Sequence, residues 1–166
     1  IVNNSWGKYL AEIDEWFRPM VQNWRAAEIF PVFSAGNGAG LSGGRIWNPA
    51  NYPESFAVGA TDSGNRIAGF SSRGPSPYGE GKPDISAPGV AIRSSVPGSK
   101  YQGMQGTSMA APAVAGVVAL MKQANASLTV DEMEQILFDT AIPLTDSLYP
   151  TSPNNGYGHG QVNAYD

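Results

Sequence analysis

The sequence predicts a single-domain α/β fold built in layers. Three observations carry that prediction. Two short segments, 29–35 and 55–61, are apolar at consecutive positions, as strands covered on both faces are. One long segment, 107–124, is apolar all round, which suits a helix enclosed at the centre of a molecule. Strand and helix patterns alternate along the chain, the order that places a parallel sheet between helices.

The elements follow in order. Ile1–Ser5 reads as a strand, and because the chain opens inside an apolar element a longer parent is expected. Across 12–30, Ile13, Trp16, Phe17, Met20, Val21, Trp24 and Ala27 recur at steps of three and four, the helical period. Pro19 is tolerated only in a first turn, so the regular helix should start close to it. The strand at 29–35 ends in the turn Gly36-Asn37-Gly38-Ala39-Gly40, and a loop follows to residue 50. Residues 55–61 form the next strand and Ile67–Ser71 a short extended piece. Pro75–Lys82 reads as a surface loop; Ile85, Val90, Ile92 and Val96 mark extended pieces broken at Pro88-Gly89. In the helix 107–124, Pro112 suits the first turns, and Ala110, Ala111, Ala113, Ala115 and Gly116 admit close neighbours. The last helix runs from about Val130 to Thr140, with Thr129 and Glu132 spaced as a capping box. A turn-rich tail, 154–160, precedes a short piece at 161–164.

Composition removes several function classes. The 166 residues are 42% hydrophobic and 14% charged, a globular balance. The net charge of -4 argues against a nucleic-acid binder, which needs clustered positive charge. The chain has no cysteine and one histidine, so thiol chemistry and multi-histidine metal sites are excluded. No run of 18 apolar residues is present to span a membrane as a helix.

The chemistry-bearing candidate is Ser108, where a loop enters the apolar helix. A serine there can simply cap the helix. It can also be a nucleophile beside free backbone N–H groups, which suit an anionic tetrahedral intermediate. The segment Gly106-Thr107-Ser108-Met109-Ala110 lacks the Gly-x-Ser-x-Gly pattern of an α/β-hydrolase elbow.

The fuller segment Gly106-Thr107-Ser108-Met109-Ala110-Ala111-Pro112 resembles the nucleophile segment of subtilisin-like serine peptidases. Ser34-Ala35-Gly36-Asn37 resembles that family's oxyanion-hole segment, and Asn4-Ser5-Trp6-Gly7 its cleft-lining strand. The run from Phe70-Ser71-Ser72-Arg73-Gly74-Pro75 to Lys82-Pro83-Asp84-Ile85-Ser86-Ala87-Pro88-Gly89 is similar to a further family block. The resemblance implies the three-layer subtilisin-like fold with a mostly parallel sheet, present as its C-terminal part. It implies a secreted serine endopeptidase acting on polypeptides, with Ser108 as nucleophile and Asn37 as oxyanion donor. Ser5, Trp6, Gly7, Ser34, Ala35, Gly36 and Thr107 would line the substrate cleft; the first side-chain pocket would have Ser34-Ala35-Gly36 and part of the 40–48 loop as its floor, small residues that suggest room for a large side chain, with Ile46 or Trp47 lining or restricting it.

The sequence departs from that family in two ways. The family's catalytic Asp and His come earlier in the chain than the cleft strand, and their segments are absent here. His159, in a Gly-rich tail, reads as a surface or supporting residue. Ala113 stands where the family nearly always has a structural histidine. The chain alone is therefore expected to be inactive, with the upstream part of the same domain as partner. A non-catalytic peptide-binding or structural relative is the alternative. No cofactor is required; calcium, common in the family, would find backbone carbonyls in the 38–53 loop.

Overall fold

The computed structural model describes residues 1–9, 13–39 and 44–165. Four strands form a parallel sheet in chain order: β1 (Val2–Asn4), β2 (Pro31–Ser34), β3 (Phe56–Thr61) and β4 (Ile85–Pro88). Helix α1 (Arg18–Ala26) covers one face; α2 (Thr107–Ala124) and α3 (Val130–Thr140) cover the other. A hairpin of β5 (Ile92–Val96) and β6 (Lys100–Met104) joins β4 to α2.

The alternation of side chains along β2 and β3 makes the three layers. Val32, Phe56, Val58 and Ala60 point to α2 and α3, where they meet Ala110, Ala111, Val114, Val118, Met133 and Leu137. Phe33 and Ala57 point the other way, to Val21 of α1 and to Ile46, Ala50 and Tyr52. All of these residues are buried, so both strands carry apolar side chains on both faces.

Helix α1 begins at Arg18, with Pro19 in its first turn. The expected helix over 12–30 is therefore shorter, and residue 12 lies outside the described residues. Ile13 and Trp16 precede the helix and are exposed, because the proline ring bars a regular turn upstream of its own position. Thr129 and Glu132 close the expected capping box of α3 reciprocally. Residues 67–71 add only an isolated bridge, Thr61 to Ile67, instead of a strand.

Two expectations are corrected. Helix α2 has the expected bounds, but its apolar surface is not enclosed all round. It rests on the sheet through Thr107, Ala110, Ala111, Val114 and Val118, while Leu120 on the opposite side is 58% exposed. The sheet supplies one wall, while α3 and residues 163–165 only flank an open cleft beside Leu120. The segment 75–82 is not wholly a surface loop either. Lys82 is 2% exposed; its ammonium donates to the Ser55 carbonyl at 2.5 Å and pairs with Asp84 at 2.7 Å. An ion so deep needs this set of partners to offset its lost hydration.

Candidate active site

Parallel strands deliver their C-terminal ends to one edge of the sheet, and α2 begins at that edge. Ser5 follows β1, Asn37 follows β2, and Ser108 is the second residue of α2. The Ser108 hydroxyl donates to the Ser5 carbonyl at 3.2 Å, and the Ser5 hydroxyl donates to the Ser108 carbonyl at 2.9 Å. Ser108 is therefore no helix cap. Gly106 holds the capping position and no side chain caps the helix there.

Asn37 is fixed from behind. Its Oδ1 accepts from the Thr107 amide at 2.9 Å and the Thr107 hydroxyl at 3.0 Å. The same hydroxyl accepts from the Gly36 amide at 3.1 Å. With Oδ1 occupied, the amide rotor is set and Nδ2 is turned toward Gly106. A Cβ on Gly106 would lie 3.4 Å from Asn37 Nδ2 and 3.6 Å from Ser108 N. Two N–H donors thus flank one small space that a glycine leaves clear. Ser108 N belongs to the first turn of α2, where amides have no intrahelical acceptor. Such a pair can bind a developing oxyanion.

The turn carrying Asn37 is held on both sides by Ser72, whose amide donates to the Gly36 carbonyl at 2.9 Å and whose hydroxyl accepts from the Gly38 amide at 3.1 Å. Gly36 has φ of 108°, a backbone region that a side chain would strain. Ser72 was not among the sequence candidates; its place in the Phe70–Gly74 block was the available signal.

The remaining candidates divide by exposure. Trp6 is exposed, and Ser5 and Gly7 are half-buried beside it. Ser34, Ala35 and Gly36 are buried and form the wall behind the asparagine. Thr107 has no exposed surface, so its side chain acts on Asn37 and Gly36. The structure separates Ile46 from Trp47: Ile46 enters the core beneath α1, while the Trp47 indole lies against Gly7, Gly36 and Gly38. The Asn48–Pro49 bond beside it is cis. His159 stacks on Phe138 of α3, with ring centroids 3.9 Å apart; its amide donates to the Asp84 carbonyl at 2.9 Å and its carbonyl accepts from the Ser152 hydroxyl at 3.1 Å. Burial pushes its imidazole below the ordinary histidine pKa, with Asp84 and Asp139 opposing.

The loop in which calcium was expected falls partly on residues 40–43, outside the described residues. The carbonyls of Gly44, Trp47, Asn48 and Pro49 already accept backbone hydrogen bonds, and the 38–53 segment holds no Asp or Glu.

The model of the subtilase family matches residues 1–160. The chain belongs to the subtilase family. It is 66% identical to bacillopeptidase F of Bacillus subtilis (strain 168) over 170 residues, covering 100% of this chain and 12% of that protein. It is 43% identical to M-protease of Shouchella clausii over 136 residues, covering 82% of this chain and 32% of that protease. Among solved structures, the prenylagaramide maturation protease PagA matches with a TM-score of 0.81 and 26% identity, over 98% of this chain and 58% of that one. This subtilase chain therefore spans a minor part of the curated relatives it matches. The subtilisin-like fold expected from the sequence is the fold observed, and the relatives are serine proteases.

Proposed function

We propose that this subtilase segment carries the nucleophile and the oxyanion hole of a secreted serine endopeptidase. Ser108 attacks the scissile carbonyl of a polypeptide, and Asn37 Nδ2 with the Ser108 amide receives the negative charge as the tetrahedral intermediate forms. Thr107 acts as a positioning residue, because it determines which end of the Asn37 amide faces the cleft. Substrate lies extended along Ser5-Trp6-Gly7, as a strand added to backbone.

The observation that supports this reading best is the double hold of Thr107 on Asn37 Oδ1. A turn asparagine needs no such orientation, whereas an oxyanion donor does. A hydroxyl also needs a base. Among the described residues, Ser108 has only a backbone carbonyl as acceptor, and His159 is engaged with Phe138. The base and its orienting carboxylate therefore come from the part of a longer protein outside these 166 residues. The unpaired side of β1 and the exposed side of α2 are where that part would dock.

Hydrolysis of a peptide ester tests the proposal. The longer protein should turn it over, its Ser108→Ala variant should not, and the 166-residue chain alone should remain at background. Failure of the longer, folded protein would favour a non-catalytic relative.

A further inference from the structure

Asn37 is followed by Gly38, and that pairing carries a chemical hazard. In an Asn-Gly pair the glycine nitrogen, unhindered by a side chain, can attack the asparagine Cγ and close a five-membered ring. Asn37 is exposed, so water reaches it. Its carbonyl end is also primed for the attack. Thr107 donates to Oδ1 from its amide and its hydroxyl, at 2.9 and 3.0 Å. Negative charge that forms on Oδ1 as Cγ is attacked would meet both donors, the same stabilisation that an oxyanion hole gives a substrate. The hold that orients Asn37 therefore also activates it toward its own neighbour.

The far side of the turn opposes that attack. The Gly38 amide donates to the Ser72 hydroxyl oxygen at 3.1 Å. The nitrogen must give up this bond, and then its proton, before it can turn to Cγ. Ser72 is fully buried, and its own amide is tied to the Gly36 carbonyl at 2.9 Å, so the acceptor is anchored to the same turn. Gly38 has little room to rotate, since a Cβ there would lie 2.8 Å from Trp47 Nε1. Breaking the bond within this packing leaves a buried N–H unsatisfied, which is costly. The second Asn-Gly pair of the chain, Asn155-Gly156, is held alike: the Gly156 amide donates to Asn154 Oδ1 at 2.9 Å.

We propose that Asn37 is a site of self-modification guarded by Ser72, whose hydroxyl withholds the Gly38 nitrogen from Asn37 Cγ; when that bond opens, Asn37 loses its side-chain amide. In the step, the Gly38 nitrogen gives its proton to solvent hydroxide and bonds to Cγ. The electron pair lodged on Oδ1 returns as the Cγ–Nδ2 bond breaks, and Nδ2 leaves as ammonia with a proton from water. Water then adds to a carbonyl of the ring and opens it, leaving aspartate or isoaspartate at position 37. Neither product has an N–H donor in its side chain, and each puts a carboxylate where the oxyanion would form. The modification stands apart from the peptidase reading; its effect on activity rests on that reading.

The test incubates the longer protein, folded, in mildly alkaline buffer and follows the mass of tryptic peptide 26–45, in which Asn37 is the only side-chain amide. The mass arm uses a Ser108→Ala background, so that self-digestion does not compete. Adding Ser72→Ala should raise the rate of amide-to-acid exchange at Asn37 roughly 2- to 10-fold, the worth of one hydrogen bond, while Asn155 in the same digest keeps its rate. Unfolding in urea, with Ser72 intact, should raise the rate at Asn37 further, because it frees the nitrogen altogether. In the protein that retains Ser108, hydrolysis of a peptide ester should fall in step with the fraction converted at residue 37. Equal rates at Asn37 with and without the Ser72 hydroxyl, both proteins being folded, would overturn the guard. So would an equal acceleration of Asn37 and Asn155, which would mean general loosening. If the Ser72→Ala protein does not fold, the urea comparison decides, and a native rate equal to the unfolded rate overturns the proposal. Ester hydrolysis that survives full conversion at residue 37 would overturn the oxyanion role of Asn37 and leave the guard in place.

Discussion

The carbonyl end of the Asn37 side chain accepts two hydrogen bonds from Thr107, one from the amide and one from the hydroxyl. This relationship links the strand that ends at Ser34 to the helix that begins at Thr107. It also fixes Asn37 with its N–H₂ group outward. Its energetic meaning follows from what each substitution leaves behind. In the longer protein, Asn37→Leu removes the donor itself. Loss of one such donor in a subtilisin costs about 10²–10³-fold in kcat, and the same order is expected here with KM little changed. Thr107→Val keeps the shape but strips one of the two holds and leaves the buried Gly36 amide without its acceptor. It should lower kcat less than Asn37→Leu does and destabilise the fold by about 1–3 kcal/mol. Steady-state kinetics and denaturant unfolding of the two variants separate these effects.

Gly106 has φ of 149° and ψ of 161°, a conformation close to glycine-only. Its missing Cβ also keeps clear the space beside Asn37 Nδ2 and Ser108 N. Gly106→Ala should therefore cost about 1–3 kcal/mol of stability, read from thermal unfolding, and weaken transition-state binding at the same site.

Lys82 is buried against Asp84 and the Ser55 carbonyl, and Asp84 also accepts from the Ala57 amide at 2.6 Å. Lys82→Met should leave Asp84 without its counter-charge and the Ser55 carbonyl without this donor. The expected loss is roughly 3–5 kcal/mol, the usual cost of breaking one side of a buried pair, measured by urea unfolding. Replacing exposed Lys100 in the same way should change little.

Much of this was legible beforehand because local pattern and tertiary role agree. The 107–124 helix was readable to its bounds, since glycine precedes it and apolar residues fill it. The strands at 31–34 and 56–61 were readable because burial on both faces leaves no polar interruption. What was hidden depends on distant partners. Nothing local tells Lys82 that Asp84 and Ser55 enclose it, so a Gly- and Pro-rich segment reads as surface. The exposure of Leu120 was hidden because an all-apolar helix reports that it is to be covered, not by what. Ser108 is legible from its place where a loop enters the apolar helix, and Asn37 from resemblance. The inward turn of Thr107 and the seat of Trp47 between Gly7 and Gly36 depend on register between segments roughly 30 to 70 residues apart, beyond any local pattern.

Burial lowers the His159 pKa below its ordinary value, and its neutral ring stacks on Phe138. A histidine with a depressed folded-state pKa takes up its proton more readily when unfolded. Stability should therefore be full above the ordinary histidine pKa of about 6.5 and decline as pH falls below it toward the folded value. His159→Phe should flatten that part of the stability–pH profile below about pH 6.5, followed by thermal unfolding across buffers.

The central claim is that Ser108 is a nucleophile whose base lies outside this chain. Labelling with a fluorophosphonate, which reacts with activated serines, tests it most directly when run side by side on the folded 166-residue chain and on the longer protein that contains it. The account predicts one adduct, on Ser108, in the longer protein only, and none in its Ser108→Ala variant. Labelling of the isolated chain at Ser108, or an unlabelled Ser108 in the folded longer protein, would contradict it.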